Sequence, residues 1–298
     1  MKKIEFFSYR LKRRLLTNNI KNIITRTNYQ QNLNYDYLYK HYNNIINSSN
    51  YKNTNKRENK TVWICWFQGM ENAPEIVKKC YESICNTFKD YQIIVITENN
   101  YKEYVNIPDY IIEKRKNNII SNAHFSDIIR IELLAAKGGI WIDSTVYCTS
   151  SVVPKYLTEN DMFLFKEVNL NRGDAPSIVA SSWFMKANAG NPIVLLTRDL
   201  IREYWKKHNI LLDYFLLHLF FSMATKKYKT IWEKVPTYNN INPHIMQFEL
   251  NNNYTKERFE YYKSISDFHK LTFKLKVDNI SKNSNLNFIL GGSDEKNK

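Results

Sequence analysis

The chain has 298 residues and a mass of 35.6 kDa, and 43% of its residues are hydrophobic, so it can bury the core of one large domain with an appendage. Glycine and proline are scarce, at 7 each, which argues against fibrous and sandwich architectures. The net charge of +14 is concentrated in residues 1–60, which hold 13 Lys/Arg and 3 Asp/Glu, whereas residues 61–298 hold 30 and 26. Because the body of the chain is almost balanced in charge, we expect no nucleic acid partner.

The first stretch, MKKIEFFSYRLKRRLL, fits a short basic amphipathic helix, because Ile4, Phe7, Leu11 and Leu15 recur along one side. Two interpretations stay open. The helix can be attracted to anionic lipid at the inner-membrane surface, or it can be a solvated helix that docks on the domain. No apolar stretch of signal-peptide length follows the first charges, so we expect a cytoplasmic protein, peripheral at the inner membrane if the first interpretation holds.

Residues 41–60 are rich in asparagine and lysine and low in apolar content, which is typical of a linker. The predicted organisation is therefore a basic helical and linker appendage over residues 1–60, followed by one domain over residues 61–298. The four cysteines lack the spacing of zinc ligands, so we expect no metal role for them.

A strand, a helix and a second strand are predicted at the start of this domain. Thr61–Gln68 is rich in β-branched and aromatic residues, as strands are. Pro74 begins a helix over Glu75–Phe88, and Tyr91–Thr97 is a second apolar strand. This succession predicts a βαβ unit and hence a parallel sheet.

The stretch over residues 121–147, SNAHFSDIIRIELLAAKGGIWIDSTVY, predicts a helix, a stop and a strand. The helix covers Ala123–Lys137, and the Gly-Gly pair that follows ends it because glycine adopts the left-handed C-cap conformation. Ile140–Ile142 is a short buried strand that brings Asp143 to its C-terminal end, where open parallel sheets bind their ligands. Asp127 and Arg130 share one face of the helix, either as a surface ion pair or as part of a site.

Further strands are predicted over Asp161–Lys166 and Ser177–Ala187, and further helices from Asn191 to about His208 and over Leu211–Lys226.

The pattern SD-x-x-R, seven residues, GG-x-W-x-D-x-T resembles the core signature of bacterial capsular polysaccharide synthesis proteins. These are similar to the DXD-motif glycosyltransferases, including Och1-like mannosyltransferases and the clostridial glucosylating toxins. The resemblance covers residues 61 to about 150, with weaker similarity to about residue 275. It implies a GT-A-like (Rossmann-like) α/β fold, with a mostly parallel sheet flanked by helices.

The resemblance also implies an activity. The protein would move a sugar from a nucleotide-diphosphate-sugar donor to a capsular or other surface polysaccharide, or to its lipid-linked precursor. A UDP-sugar donor and retention of the anomeric configuration are favoured.

The same resemblance implies roles for single residues. Asp127 would contact the nucleoside or sugar, Arg130 would hold Asp143 or the sugar hydroxyls, and these three are the expected catalytic residues. The expected donor-binding residues are Trp66, Gln68, Gly69, Ser126, Asp127, Arg130, Gly139, Asp143, Ser144, Thr145, His269 and Lys270. Trp66 would lie near the nucleotide base and stack on it, unless it is a core residue. A D-Y-F-x-x-H pattern adds Asp213 and His218, although a lone histidine on an apolar helix is more often a core residue.

The chain departs from the DXD pattern, because Thr145 stands where the second carboxylate is expected. Sites for Mn²⁺ or Mg²⁺ normally include carboxylates, so a divalent cation is in doubt. The metal would be held by Asp143 with diphosphate and water, with His269 as a weaker candidate ligand, or it would be replaced by Lys270 and other basic groups. The substitution also leaves open a non-catalytic protein that binds a nucleotide-sugar or glycan with a degenerate transferase fold.

Overall fold

A computed structural model describes residues 3–53, 59–168, 177–274 and 281–292. The helices are α1 (Lys3–Thr17), α2 (Ile23–Ser48), α3 (Glu75–Thr87), α4 (Tyr101–Tyr104), α5 (Asp109–Lys116), α6 (Asn122–Ala136), α7 (Lys155–Thr158), α8 (Pro192–Lys207), α9 (Leu216–Lys227), α10 (Lys229–Trp232), α11 (Asn242–Phe248), α12 (Lys256–Ile265) and α13 (Asn285–Ile289). The strands are β1 (Thr61–Cys65), β2 (Gln92–Ile96), β3 (Gly139–Ile142), β4 (Val146–Cys148), β5 (Met162–Lys166), β6 (Ala180–Ala187) and β7 (Phe268–Lys270). A short 3₁₀ helix covers Met70–Asn72.

Five strands form the central sheet in the order β2-β1-β3-β6-β5. Strand β1 is parallel to both β2 and β3, while β6 is antiparallel to its neighbours β3 and β5. In this sheet, every strand except β6 therefore points the same way. The predicted βαβ unit and the α/β class with a mostly parallel sheet flanked by helices are confirmed.

Helices cover both faces of this sheet. Because successive side chains of a strand point to opposite faces, β1 sends Val62 and Ile64 to one side and Trp63 to the other. Ile84 of α3 and Phe88, which directly follows this helix, pack on the first side. The larger core, which includes Trp63, lies on the second side and contains residues of α2, α6, α8 and α9.

Helix α2 joins the N-terminal region to the larger core. Tyr42 packs against Tyr204 of α8 and edge-on against Phe220 of α9, and Ile46 is also buried. The expectation of a linker was therefore wrong for residues 41–48. Its apolar side chains recur at helical intervals, but the many asparagines between them lower the mean hydropathy.

Most other predicted elements are present within a few residues of their expected bounds. Helix α9 begins at Leu216 rather than Leu211, because Asp213 accepts a hydrogen bond from the N–H of Phe215 and forms a turn there. The small antiparallel sheet of β4 and β7 was not predicted. Among the described helices, none has both the length and the apolar character needed to cross a membrane.

Candidate functional site

A cavity of about 1470 Å³ opens at the edge of the sheet where β1 and β3 end and the antiparallel strand β6 begins. Cys65 of β1, Asp143 after β3 and Trp183 of β6 line it there. Helix α6 adds Asp127 and Arg130. This is the edge at which open parallel sheets bind ligands.

Asp143 is held by three side-chain donors. Its Oδ1 accepts hydrogen bonds from Nη2 of Arg130 and Nε1 of Trp141, each at 2.9 Å. Its Oδ2 lies 3.2 Å from Nζ of Lys270. The backbone N–H of Asp143 donates to the carbonyl of Trp183 at 2.8 Å, which fixes the end of β3 against β6. The carboxylate is thus held in one orientation by the protein's own groups.

Arg130 bridges two carboxylates. Its Nη1 donates to Oδ1 of Asp127 at 2.8 Å, and its guanidinium lies 4.8 Å from the ring centre of Trp141. The side chain of Arg130 is only 5% exposed and that of Asp127 is 18% exposed. The surface ion pair, one of the two interpretations of this helix face, is therefore wrong. Ser121 caps α6 through the N–H of His124 and so sets where this face begins.

The two carboxylates titrate differently. Burial, together with the charge of Asp143, raises the pKa of Asp127 to about 6 despite the attraction of Arg130. Burial also acts to raise the pKa of Asp143, but Lys270 and Arg130 outweigh it and hold that pKa below its ordinary value. Asp143 is therefore a permanent anion at neutral pH, whereas Asp127 changes charge close to neutrality.

Lys270 reaches the cavity from the small second sheet. Strands β4 and β7 pair Val146 with Lys270, and the N–H of Leu271 donates to the carbonyl of Thr145 at 2.8 Å. The ammonium of Lys270 donates to Oγ1 of Thr145 at 2.5 Å and also contacts Asp143. The segment that carries Lys270 is thus a strand of this small sheet.

The residues around Asp143 do not fit a divalent cation. Within the described part of the chain, no group of three or more His, Cys, Asp and Glu side chains could hold a metal ion. Both oxygens of Asp143 are engaged by Arg130, Trp141 and Lys270, and the Thr145 hydroxyl is engaged by Lys270. The ammonium of Lys270 thus contacts both Asp143 and Thr145 of the D-x-T pattern.

The cavity also contains most of the other predicted donor-binding residues: Trp66, Gln68, Ser126, Ser144 and Thr145. Trp66 is half-buried and meets the ring of Phe273 edge-on, with the ring centres 5.4 Å apart.

Three predicted donor contacts lie outside the cavity lining: Gly69, Gly139 and His269. Gly69 forms a tight turn with positive φ, and its N–H donates to the carbonyl of Trp66. Gly139 begins β3, at the opposite end of the strand from the cavity. His269 is fully buried because it alternates with Lys270 along β7 and faces away from the cavity.

His269 is also a poor metal ligand in this position. Its ring lies 3.2 Å from the hydroxyl of Thr149, and burial lowers its pKa to about 4. It is thus a neutral core histidine, and the expectation that it binds donor or metal is corrected.

His218 lines the cavity. Burial, with a smaller contribution from Arg130, lowers its pKa to about 3, so the ring is neutral. Its Nδ1 is buried with no hydrogen-bond partner among the described residues. Asp213, the other residue of the pattern, instead accepts a hydrogen bond from Asn34 at 2.6 Å and anchors α2.

Helix α2 supplies a wall of the cavity that sequence reasoning missed. Asn28, Gln31, Asn32, Tyr35 and Asp36 all line it. Their spacing of three to four residues was a usable signal, but the surrounding segment was interpreted as an appendage.

Comparison with known proteins gives one family. The family model described as "Capsular polysaccharide synthesis protein" matches residues 13–289. No curated protein matches the sequence significantly.

Two solved structures are similar at low identity. A structure titled "PaToxG Glycosyltransferase" is 16% identical, with a TM-score of 0.37, and the match covers 68% of this chain and 82% of that one. A transferase mutant is 12% identical, with a TM-score of 0.34 and coverage of 65% and 92%. These TM-scores are low, so they assign no role to any residue of this chain.

Proposed function

The chain belongs to the family of capsular polysaccharide synthesis proteins, and on that premise we propose that it is a glycosyltransferase that uses a nucleotide-diphosphate-sugar. The observation that carries this proposal is the arrangement at Asp143. A fixed carboxylate, a bridging arginine and a lysine ammonium meet at the sheet edge that binds ligands. This combination suits a ligand with sugar hydroxyls at one end and an anionic diphosphate at the other.

The donor would lie along this edge with its parts against different residues. Trp66 offers an aromatic surface for the base, and Gln68 lies on the neighbouring turn. Asp127 and Asp143 offer carboxylate oxygens to hydroxyls of the ribose or sugar. A UDP-sugar is the donor class that we propose.

Sugar transfer requires the diphosphate to leave. The bond between the anomeric carbon and the diphosphate oxygen breaks, and a bond from that carbon to an acceptor oxygen forms. In a reaction that retains configuration on the same face, the departing phosphate takes the acceptor proton, so no separate base is needed. Lys270 and Arg130 would stabilise the negative charge that develops on the diphosphate.

We propose that Lys270 takes the place of a divalent metal in this step. Its ammonium bridges Asp143 and Thr145, and a metal bound there would have to displace it. Because threonine is a poor ligand for Mg²⁺ and Mn²⁺, the change from Asp to Thr and the presence of Lys270 are consistent with each other. The expected reaction does not need an added cation.

The acceptor that we propose is a surface polysaccharide or its lipid-linked precursor. Nucleotide-sugars are made in the cytoplasm, so this proposal places the protein there. The basic residues near the N-terminus support a peripheral position at the inner membrane.

A thermal-shift panel tests the donor. The purified chain is heated with UDP-, GDP-, CMP- and dTDP-sugars, each with and without Mn²⁺, because a ligand of the native state raises the melting temperature. We expect a shift with the UDP-sugars that is equal with and without Mn²⁺. A shift that requires Mn²⁺ would contradict the role of Lys270, and the absence of any shift would contradict the donor site.

Thr145 also motivates a second candidate, a protein that binds a nucleotide-sugar or glycan without turnover. Release of UDP from a stabilising donor separates the two candidates. Turnover that is lost in Asp143→Asn supports the transferase. Donor binding with no turnover, in the presence of surface polysaccharide as acceptor, supports the binding protein.

A further inference from the structure

Helix α1 packs on the protein with a different face from the one that its apolar pattern predicts. Phe6 is buried against His208, and Tyr9 stacks on Tyr37 with ring centres 3.8 Å apart. Arg13 donates to Asn34 on this same side. Phe7, Leu11 and Leu15 of the predicted apolar stripe therefore face outward.

The outward surface continues around the tip of the hairpin formed by α1 and α2. Six large apolar side chains of this surface are between 49% and 69% exposed: Phe7, Leu11, Leu15, Leu16, Ile23 and Ile24. Single exposed apolar residues are ordinary, but a group of this size on one hairpin marks an interaction surface.

The charge of the hairpin limits what this surface can contact. Between Glu5 and Asp36 there are six Lys or Arg residues and no Asp or Glu. Lys12, Arg14 and Lys21 are exposed among the apolar side chains of the tip. An apolar surface surrounded by cations is complementary to an anionic lipid bilayer, whereas two copies of the hairpin would repel each other.

The same helix connects the tip to the cavity. Ile24, Asn28, Gln31 and Tyr35 follow one another along one face of α2, and the last three line the cavity. From Ile24 to Tyr35 is about 16 Å along the helix axis. The hydrogen bond from Asn34 to Asp213 fixes this helix to the segment that brings Tyr214, Phe215 and His218 to the cavity lining.

We propose that the α1–α2 hairpin docks on an anionic membrane surface, and that the α2 wall binds the glycan part of a lipid-linked acceptor held in that membrane. The tip inserts its apolar side chains, and the basic residues contact lipid phosphates. The amides and carboxylate of Asn28, Gln31, Asn32 and Asp36 then face sugar hydroxyls next to the donor. The inference rests on the proposed transfer reaction, but its test requires neither donor nor acceptor.

Vesicle co-sedimentation of the full chain is the test. We expect the wild-type chain to bind vesicles of phosphatidylcholine with phosphatidylglycerol and not those of phosphatidylcholine alone. The variants Leu15→Ser/Ile24→Ser and Arg14→Glu/Lys21→Glu should bind at least about tenfold more weakly. Matched controls change equally exposed residues elsewhere: Phe248→Ser, at an apolar side chain that is 78% exposed, and Lys155→Glu.

A donor thermal shift in the absence of vesicles accompanies each variant. Because the substituted tip residues lie outside the cavity lining, we expect unchanged donor shifts, which separates a failure of this inference from a failure of the proposed function. Hydrogen exchange adds a second measurement: anionic vesicles should protect the amides of residues 11–26 and leave those of α12 unchanged. Absence of wild-type binding, or equal loss in the control variants, would overturn the inference.

Discussion

Lys270, on the short strand β7, places its ammonium 3.2 Å from Oδ2 of Asp143 at the end of β3. The same ammonium donates a hydrogen bond to Thr145, which lies 125 residues away in the sequence. A positive charge of the chain itself thus lies against the carboxylate that follows β3, where we propose that the donor diphosphate binds. We therefore expect turnover of the donor to depend on Lys270.

Lys270→Ala should reduce turnover of the donor by roughly a hundredfold to a thousandfold, because a preorganised cation is removed from the site where charge develops on the diphosphate. Steady-state release of UDP measures this. Wild-type turnover should be unchanged by EDTA, and the exposed-site control Lys155→Ala should behave as wild type. A wild-type enzyme that is inactivated by EDTA would show that a metal supplies the charge instead.

A double change should create metal dependence. Thr145→Asp/Lys270→Ala places two carboxylates at the D-x-D positions and removes the cation that competes for them. We expect activity that appears only with Mn²⁺ or Mg²⁺, since both ions prefer carboxylate ligands. Titration of the metal, with Lys270→Ala alone as the matched control, measures the effect. Equal metal responses in the single and double variants would contradict this account of Thr145.

The pKa of Asp127, raised to about 6, predicts an acid limb in the pH dependence of donor binding. As the pH falls through about 6, Asp127 gains a proton and can no longer offer an anionic oxygen to Arg130 and the donor. The affinity for the donor should therefore decrease as the pH is lowered below about 6. Asp127→Asn should bind the donor weakly, with an affinity that does not change around this pH. Titration calorimetry across the pH range, with Asp90→Asn as an exposed control, tests this.

The raised pKa of Asp127 has the opposite effect on folding stability, which it increases at low pH. Between the ordinary pKa of 3.8 and about 6, the folded chain holds a proton on Asp127 that the unfolded chain has lost. The contribution of this group to stability is therefore greatest at low pH and decreases as the pH rises through that window. Asp127→Asn should remove this contribution from the pH dependence of the melting temperature.

The sequence was sufficient to place Asp127, Arg130 and Asp143 together, because helical spacing and the end of a buried strand define their directions. It did not distinguish His269 from Lys270. Neighbours on a strand face opposite ways, and which of the two faces the cavity depends on the register of β7 with β4, a pairing that the sequence did not predict.

Other site residues were predicted wrongly, or not predicted at all, for different physical reasons. Gly139 belongs to the sequence pattern that resembles the family signature, but it lies at the far end of β3. At the rise per residue of an extended strand, that end is about 13 Å from the cavity edge. The α2 wall was missed because its contacts to the cavity depend on long-range packing of Tyr42 and on the Asn34–Asp213 hydrogen bond. Local propensity carries no information about such contacts.

Gly139→Ala should destabilise the fold without touching the donor site. A Cβ there would lie 2.6 Å from the carbonyl oxygen of Thr61, and the backbone φ is +101°. We expect a loss of roughly 1–3 kcal/mol in the free energy of unfolding, measured with urea. Gly291→Ala is the matched control, because its φ is also positive, at +94°, but no atom lies within 4 Å of the added Cβ. Equal losses in the two variants would show that backbone strain alone, and not the contact with Thr61, makes Gly139 necessary.

Arg130→Lys should be costly despite keeping the charge. The two terminal nitrogens of Arg130 donate to different carboxylates, Asp127 and Asp143, and a single ammonium cannot occupy both positions. One buried carboxylate then lacks its cation, so we expect the free energy of unfolding to fall by roughly 3 kcal/mol and the pKa of Asp127 to rise further.

Urea unfolding measures the loss in Arg130→Lys, and NMR titration of the Asp127 carboxyl measures the pKa. Arg258→Lys is the matched control, because Arg258 pairs with Glu249 at the surface with 41% of its side chain exposed, where such pairs contribute little. The control should change stability much less. Equal losses in the two variants would show that the stability lost in Arg130→Lys does not come from the bridge between the two carboxylates.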